Sequence, residues 1–268
     1  MRARRTAVAV LVCLLAALRL DAQTVSPQSA NSSSVQAAAA LNNAIAALSR
    51  NSTITDITLT GTAEWIAGSD DETGTAAYKA LATGNRLDLN LSNGVRSEVR
   101  SFGAPAPSGS WVGPDGVTHP IAYHNLLIDP GLFPLFPLST ISSSSNAILS
   151  LVGLESRNGS SVVHLTAAQS PPAAVAANAA LFQHLSAVDI YLDASSYLPV
   201  AYTFTVHPDD NELLDIPVEI SYSNYQTIGG AQIPLHVQRF VNNTLVIDLQ
   251  FQSAVVNSGL SKTAFSLP

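Results

Sequence analysis

The feature that most limits the fold is a run of alternating segments in the last third of the chain. Residues 187–193, 199–206, 217–225, 231–241 and 244–256 each interleave apolar and polar side chains with a period of two. Such a period describes strands with one face in a core and one in water. The breaks between them carry turn residues: Ser195-Ser196, His207-Pro208-Asp209-Asp210, Gly229-Gly230 and Asn242-Asn243. Short connections of this kind join neighbouring strands as an antiparallel meander, and a sheet of that type can be covered on one side only.

The same pattern recurs earlier. In 54–66, Ile57, Leu59, Gly61, Ala63 and Trp65 share one face of an expected strand. Residues 67–74 read as a polar turn. Leu87, Leu89 and Leu91 oppose Arg86, Asp88 and Asn90, and after a turn at Asn93-Gly94, Val95 and Val99 oppose Arg96, Glu98 and Arg100. Trp111-Val112 and Val117 flank Gly113-Pro114-Asp115-Gly116, a hairpin signal. Weaker strands are expected at 148–154 and 161–166. Helices are expected from Ser33, which with Gln36 makes a capping-box pattern ahead of Val35, Ala38, Leu41, Ile45 and Leu48, and over 173–186. The fold class is therefore mainly β with some α: an antiparallel sheet whose two helices cover its other side or lie within a curved sheet.

The amino terminus reads as an export signal. Arg2, Arg4 and Arg5 precede an apolar run from Ala7 to Leu18, too short to span a bilayer comfortably. Cleavage after Ala22 gives a signal peptide at 1–22, a polar linker at 23–34 and a single domain at 35–268; an uncleaved anchor is the other reading. The expected location is periplasmic or secreted. Removing four of the 12 basic and one of the 19 acidic residues leaves 8 and 18, a net charge of −10. The single cysteine, Cys13, leaves too, which excludes a disulfide, a thiolate metal site and a thiol nucleophile. No later apolar run is long enough for a transmembrane span. With this charge and only two lysines, Lys79 and Lys262, nucleic acid is not an expected partner.

Chemistry is scarce. There is no G-x-S-x-G elbow, H-E-x-x-H, phosphate loop or dinucleotide fingerprint. The six histidines, His119, His124, His164, His184, His207 and His236, lack metal-ligand spacing and read as loop or surface residues. His207-Pro208-Asp209-Asp210-Asn211-Glu212 and Asp70-Asp71-Glu72 lack the order of a calcium loop and read as solvated turns. No catalytic residue, cofactor or metal is assigned, and a hydrolase is the least favoured class. Arg239 alternates with Ile233, Leu235, Val237 and Val241, so it either contacts a polar ligand or carboxylate or snorkels at the strand end. Residues 126–138 (LLIDPGLFPLFPL) are strongly apolar yet rich in proline, unsuited to strand or helix. They either plug the concave face of the sheet, or line or lid an apolar cavity. If the sheet is hollow, its lining is expected to include Leu59, Trp65, Leu89, Phe133, Phe136, Tyr202 and Phe204.

Three stretches resemble the LolA/LolB-type periplasmic lipoprotein carriers. One is Val188-Asp189-Ile190-Tyr191-Leu192-Asp193 with Ser196-Tyr197-Leu198-Pro199-Val200-Ala201-Tyr202. The second is Val218-Glu219-Ile220-Ser221-Tyr222-Ser223-Asn224-Tyr225 with Gly229-Gly230-Ala231-Gln232-Ile233-Pro234. The third runs from Asn257 to Pro268. The resemblance covers 187–268 and 35–66, and is looser between. It implies a curved antiparallel sheet forming an incomplete β-barrel, with two or three helices packed into its opening and acyl chains carried in the hollow. The expected partner is then an apolar or acylated ligand. The alternative is an envelope scaffold or protein-interaction module with a filled core.

Overall fold

A computed structural model describes residues 27–103 and 106–266 of the 268. The expected signal peptide lies outside the described residues. A helix, α1, spans Pro27–Ser49. Residues 27–34, expected as linker, are therefore its first turns. Proline is tolerated there because the first N–H groups of a helix have no partner to lose. Ser33 does not open the helix. Its Oγ accepts from the backbone N–H of Leu151 (3.0 Å) and donates to the carbonyl of the same residue (3.1 Å).

The strands follow in chain order: β1 Asp56–Ala67, β2 Asp70–Leu81, β3 Gly84–Leu91, β4 Gly94–Ser101, β5 Ser108–Val112, β6 Thr118–Pro120, β7 Ala147–Arg157, β8 Ser160–Gln169, β9 Val188–Asp193, β10 Pro199–Val206, β11 Ile216–Ile228, β12 Ala231–Val241 and β13 Thr244–Val256. All form one antiparallel sheet in the order β6-β5-β4-β3-β2-β1-β13-β12-β11-β10-β9-β8-β7. It is a curved sheet that does not close, an incomplete barrel. Two meanders are joined where β1 pairs with β13, Trp65 opposite Ile247 and Ile57 opposite Val256. Gly61 sits at a bulge in this pairing, where a Cβ would stand 2.0 Å from the Gln250 carbonyl oxygen.

The expected polar turn at 67–74 shrinks to Gly68-Ser69, and its acidic residues begin β2. β2 was hidden because Glu72 looks like a turn residue but is buried and ion-paired with Arg96 (2.7 Å). The expected helix at 173–186 is divided: a 3-10 turn at Ala173–Asn178, then α3 at Ala179–Leu185. The non-helical backbone of Val175 interrupts it.

The resembling motifs have local structural causes. Asp193 closes the β9–β10 turn, its carboxylate accepting from the N–H groups of Ser195 (3.1 Å) and Ser196 (2.8 Å). Asn257 ties the chain end to the entry of β1, accepting from Thr55 N–H (2.7 Å) and donating to the Thr53 carbonyl (2.9 Å).

This strand order dictates what fills the sheet. β6 and β7 are opposite edges, so the chain from 121 to 146 must cross the full width. It does so over the concave face. The crossing holds a 3-10 turn at Tyr123–Leu126 and a helix, α2, at Leu135–Ser143. Pro137 lies in the first turn of α2, the one place where a helix accepts it. Ala37, Leu41, Ala44 and Leu48 of α1 are buried in the same core.

Candidate ligand-binding site

The segment 126–138 is a plug. Leu126, Ile128, Leu132, Phe133, Leu135, Phe136 and Leu138 are all buried, Phe133 and Leu138 completely. Phe133 and Phe136 meet edge to face at 5.5 Å. Tyr222 from β11 donates to the Gly131 carbonyl (2.8 Å) in the turn of the plug.

Beneath the plug the concave face, otherwise apolar, carries a local group of charged side chains, contrary to the simplest reading of β4. Strand register settles the side. Glu98 stands opposite Leu87, and Arg96 opposite Leu89, so the charged row of β4 shares the inner face with the leucines. Val95, on the other row, is exposed. Alternation distinguishes two faces but does not say which is inside. The result is a cluster of opposite charges. Arg100 Nε contacts Glu98 Oε1 at 2.6 Å, and Arg239 Nη1 lies 3.9 Å from Glu98 Oε2. Burial opposes the charge of Glu98, but the Arg100 and Arg239 guanidiniums outweigh it and hold its pKa at about 2. Asp129 of the plug accepts from Asn85 Nδ2 (2.7 Å) and Gly131 N–H (2.9 Å). Burial nevertheless raises its pKa to about 6.

Arg239 thus does not snorkel at a strand end. It is inside, beneath Gly131 and Leu132, where the remaining space of about 10 Å³ is no larger than one water. It has a carboxylate neighbour in Glu98, and its buried Nε has no hydrogen-bond partner.

A larger space remains beside the plug. A cavity of about 370 Å³ lies between the 3-10 turn at 123–126, the start of the plug, α2, the end of β8 and α3. Its apolar wall includes Phe102, Leu126, Ile128, Ile141, Ala167, Phe182 and Val188. Asp129, Thr140, Asn146, Gln169 and Ser186 supply polar points. It is partly open to solvent. Of the residues expected to line a hollow, Tyr202 lines this cavity. Leu59, Leu89, Phe133, Phe136 and Phe204 lie in the packed core. Trp65 packs against that core with the Arg96 guanidinium 3.9 Å above its ring. Arg239 is not at this cavity. Residues 126–129 and Pro137 of the apolar segment line it, as one reading of that segment expected; the rest of the lining comes from separated stretches between 102 and 202 with no run or period in common.

The histidines are not simply loop and surface residues. His164 and His207 are buried. Among the described residues, all but His124 stand close to a carboxylate: His119 to Asp115, His164 to Glu155 and Asp189, His184 and His207 to Asp215, and His236 to Asp248. In a chain so poor in lysine, histidine supplies partners for acids. One line of Ser223, His236 and Asp248 crosses three strands, with Ser223 Oγ 3.1 Å from His236 Nδ1 and His236 Nε2 3.1 Å from Asp248. Gln238 and Gln250 also donate to Asp248, and Ser223 is exposed. This is a hydrogen-bonded network on the face away from the plug, outside the cavity described above.

No family model matches the sequence, and no curated protein matches it. Solved structures do. A domain described as an outer membrane lipoprotein-sorting protein from Vibrio parahaemolyticus is 15% identical, covering 88% of this chain and 97% of its own, with a TM-score of 0.54. A LolA superfamily protein from Nitrosomonas europaea is 12% identical, covering 86% and 97%, with a TM-score of 0.52. A protein of a domain family of unknown function from Desulfovibrio piger is 9% identical over 86% and 97%, with a TM-score of 0.56. At these identities the likeness establishes architecture: this chain has the fold of the LolA-type lipoprotein-sorting domains.

Proposed function

We propose that this is an exported, non-catalytic protein that holds an apolar or acylated ligand in the cavity beside the plug. The observation that carries the reading is the cavity itself. Its 370 Å³ lies at the low end of the ~300–1,000 Å³ typical of ligand sites, and its wall is mostly apolar with a few polar points. That suits one acyl chain or one small amphiphile, not several chains side by side. Each methylene buried contributes roughly 0.8 kcal/mol. Asp129, at the cavity wall, offers a hydrogen-bonding group for the ligand's polar end. The lipoprotein-sorting and LolA names of the structural relatives agree with a carrier. The signal-like sequence at 1–22 agrees with a periplasmic or secreted location.

A second reading follows from the plug. Since 126–138 and α1 occupy most of the concave face, the same fold also suits an envelope protein-interaction module. Native mass spectrometry of the mature chain, purified from its envelope without detergent, separates the two. A carrier retains one small amphiphile per chain. A chain of bare polypeptide mass that instead co-purifies with a protein supports the second reading.

A further inference from the structure

α3 is lightly anchored: seven residues, with Leu185 its one buried side chain. Its last turn carries His184, which is half-exposed. His184 Nε2 lies 2.8 Å from Asp215 Oδ1, and the same oxygen lies 2.9 Å from His207 Nε2. The two imidazole rings are 5.9 Å apart. One donor atom from each of the three residues lies within 4.8 Å of the others.

The fold brings these residues together from distant positions. β10 and β11 are paired up to Val206 and Ile216, so the loop between them begins at His207 and returns at Asp215. α3 then lays His184 across that loop. His207 is held in place: its side chain is fully buried, and Asn125 clamps its backbone, accepting from its N–H (2.9 Å) and donating to its carbonyl (2.7 Å). One donor is fixed, and two face solvent. None of Asp209, Asp210 or Glu212, weighed for calcium from the sequence, joins the group.

The donor set points to a metal. Two imidazoles converge on a single carboxylate oxygen, giving two nitrogens and one oxygen. A bound zinc at ~2.0–2.1 Å from each would hold such donors about 3.3 Å apart. The two N···O distances fall about half an ångström short of that, which a turn of the half-exposed His184 and Asp215 side chains supplies.

We propose that His184, His207 and Asp215 bind one divalent transition-metal ion of the zinc class, with a fourth position open to water. Imidazole with carboxylate suits zinc, cobalt, nickel or copper, whereas calcium and magnesium take oxygen shells. The ion ties α3 to the β10–β11 loop. α3 also carries Phe182, and Ser186 follows it, both on the wall of the ligand cavity, so the metal steadies that wall. The site stands independently of the ligand proposal.

The test uses the mature chain without a polyhistidine tag, cleared of metal by a chelator. It is titrated with Zn²⁺ by calorimetry and with Co²⁺ by visible absorption. One equivalent of each binds, Co²⁺ gives a ligand-field band, and Zn²⁺ raises the melting temperature. His184→Ala and Asp215→Asn, both at half-exposed positions, keep the fold by circular dichroism. Each weakens Zn²⁺ binding at least about tenfold and removes the rise in melting temperature. His236→Ala, on a separate network, changes neither. Absence of saturable binding by the unmodified chain overturns the proposal, as does binding that survives in His184→Ala and Asp215→Asn or is lost in His236→Ala.

Discussion

Tyr222 donates a 2.8 Å hydrogen bond from the floor of the sheet to the carbonyl of Gly131, in the turn of the segment that crosses it. One side chain thereby fastens the plug to β11. Gly131 has a positive φ of 45°, and a Cβ there would stand 2.4 Å from Pro137 Cγ. Tyr222→Phe keeps the ring and leaves that carbonyl buried without its donor. The expected loss is about 1–3 kcal/mol. Urea unfolding should show a lower midpoint with an unchanged slope; an unchanged midpoint would mean the bond holds nothing.

Asp129 sets a pH dependence. Burial raises its folded pKa to about 6, above the ~3.9 of an unfolded aspartate, so the folded state binds more protons between these values. Its contribution to stability is greatest below about pH 4 and is lost as pH rises to about 6. Asp129→Asn keeps an acceptor for Asn85 and Gly131 and removes the buried charge. The variant should melt higher than the parent at pH 7, by on the order of 1–3 kcal/mol, and match it near pH 4. A variant less stable at pH 7 than at pH 4, relative to the parent, would reverse the sign.

Glu72 is 2% exposed and depends on Arg96, whose guanidinium contacts both of its oxygens, at 2.7 and 3.3 Å. Arg96→Ala leaves a buried carboxylate without its counter-charge, the Asn93 N–H (3.2 Å) still donating to it, for a loss of about 3–5 kcal/mol. Changing both residues to methionine removes the charge with its partner and should recover most of that loss. Thermal melts of the single and double variants measure the difference; equal losses would show that packing, not charge, is at stake.

The strands of the last third were legible because most residues there obey one rule. Pro199–Val206, Ala231–Val241 and Thr244–Val256 have the bounds their alternation and turns predict. That rule fails where a partner is far away in sequence. Glu72 looks like a turn residue until Arg96 is beside it. Arg96, Glu98 and Arg100 look like an outer face until register sets the first two opposite Leu89 and Leu87, and Arg100 opposite the buried Asn85. The proline-rich segment had to be buried by composition alone. That it crosses from one sheet edge to the other follows only from β6 and β7 being those edges. Cavity and histidine cluster are both made by tertiary contact, so no local spacing announces either.

The ligand cavity is tested most directly by titrating the mature chain with a fluorescent fatty acid. Thr140, exposed at the cavity on α2, is the position for a blocking variant, Thr140→Trp. The unmodified chain should bind one equivalent saturably, and Thr140→Trp should bind at least about tenfold more weakly, about 1.4 kcal/mol, with its melting temperature unchanged. A chain that shows no saturable binding, or a variant that binds as well as its parent, would contradict a ligand in this cavity.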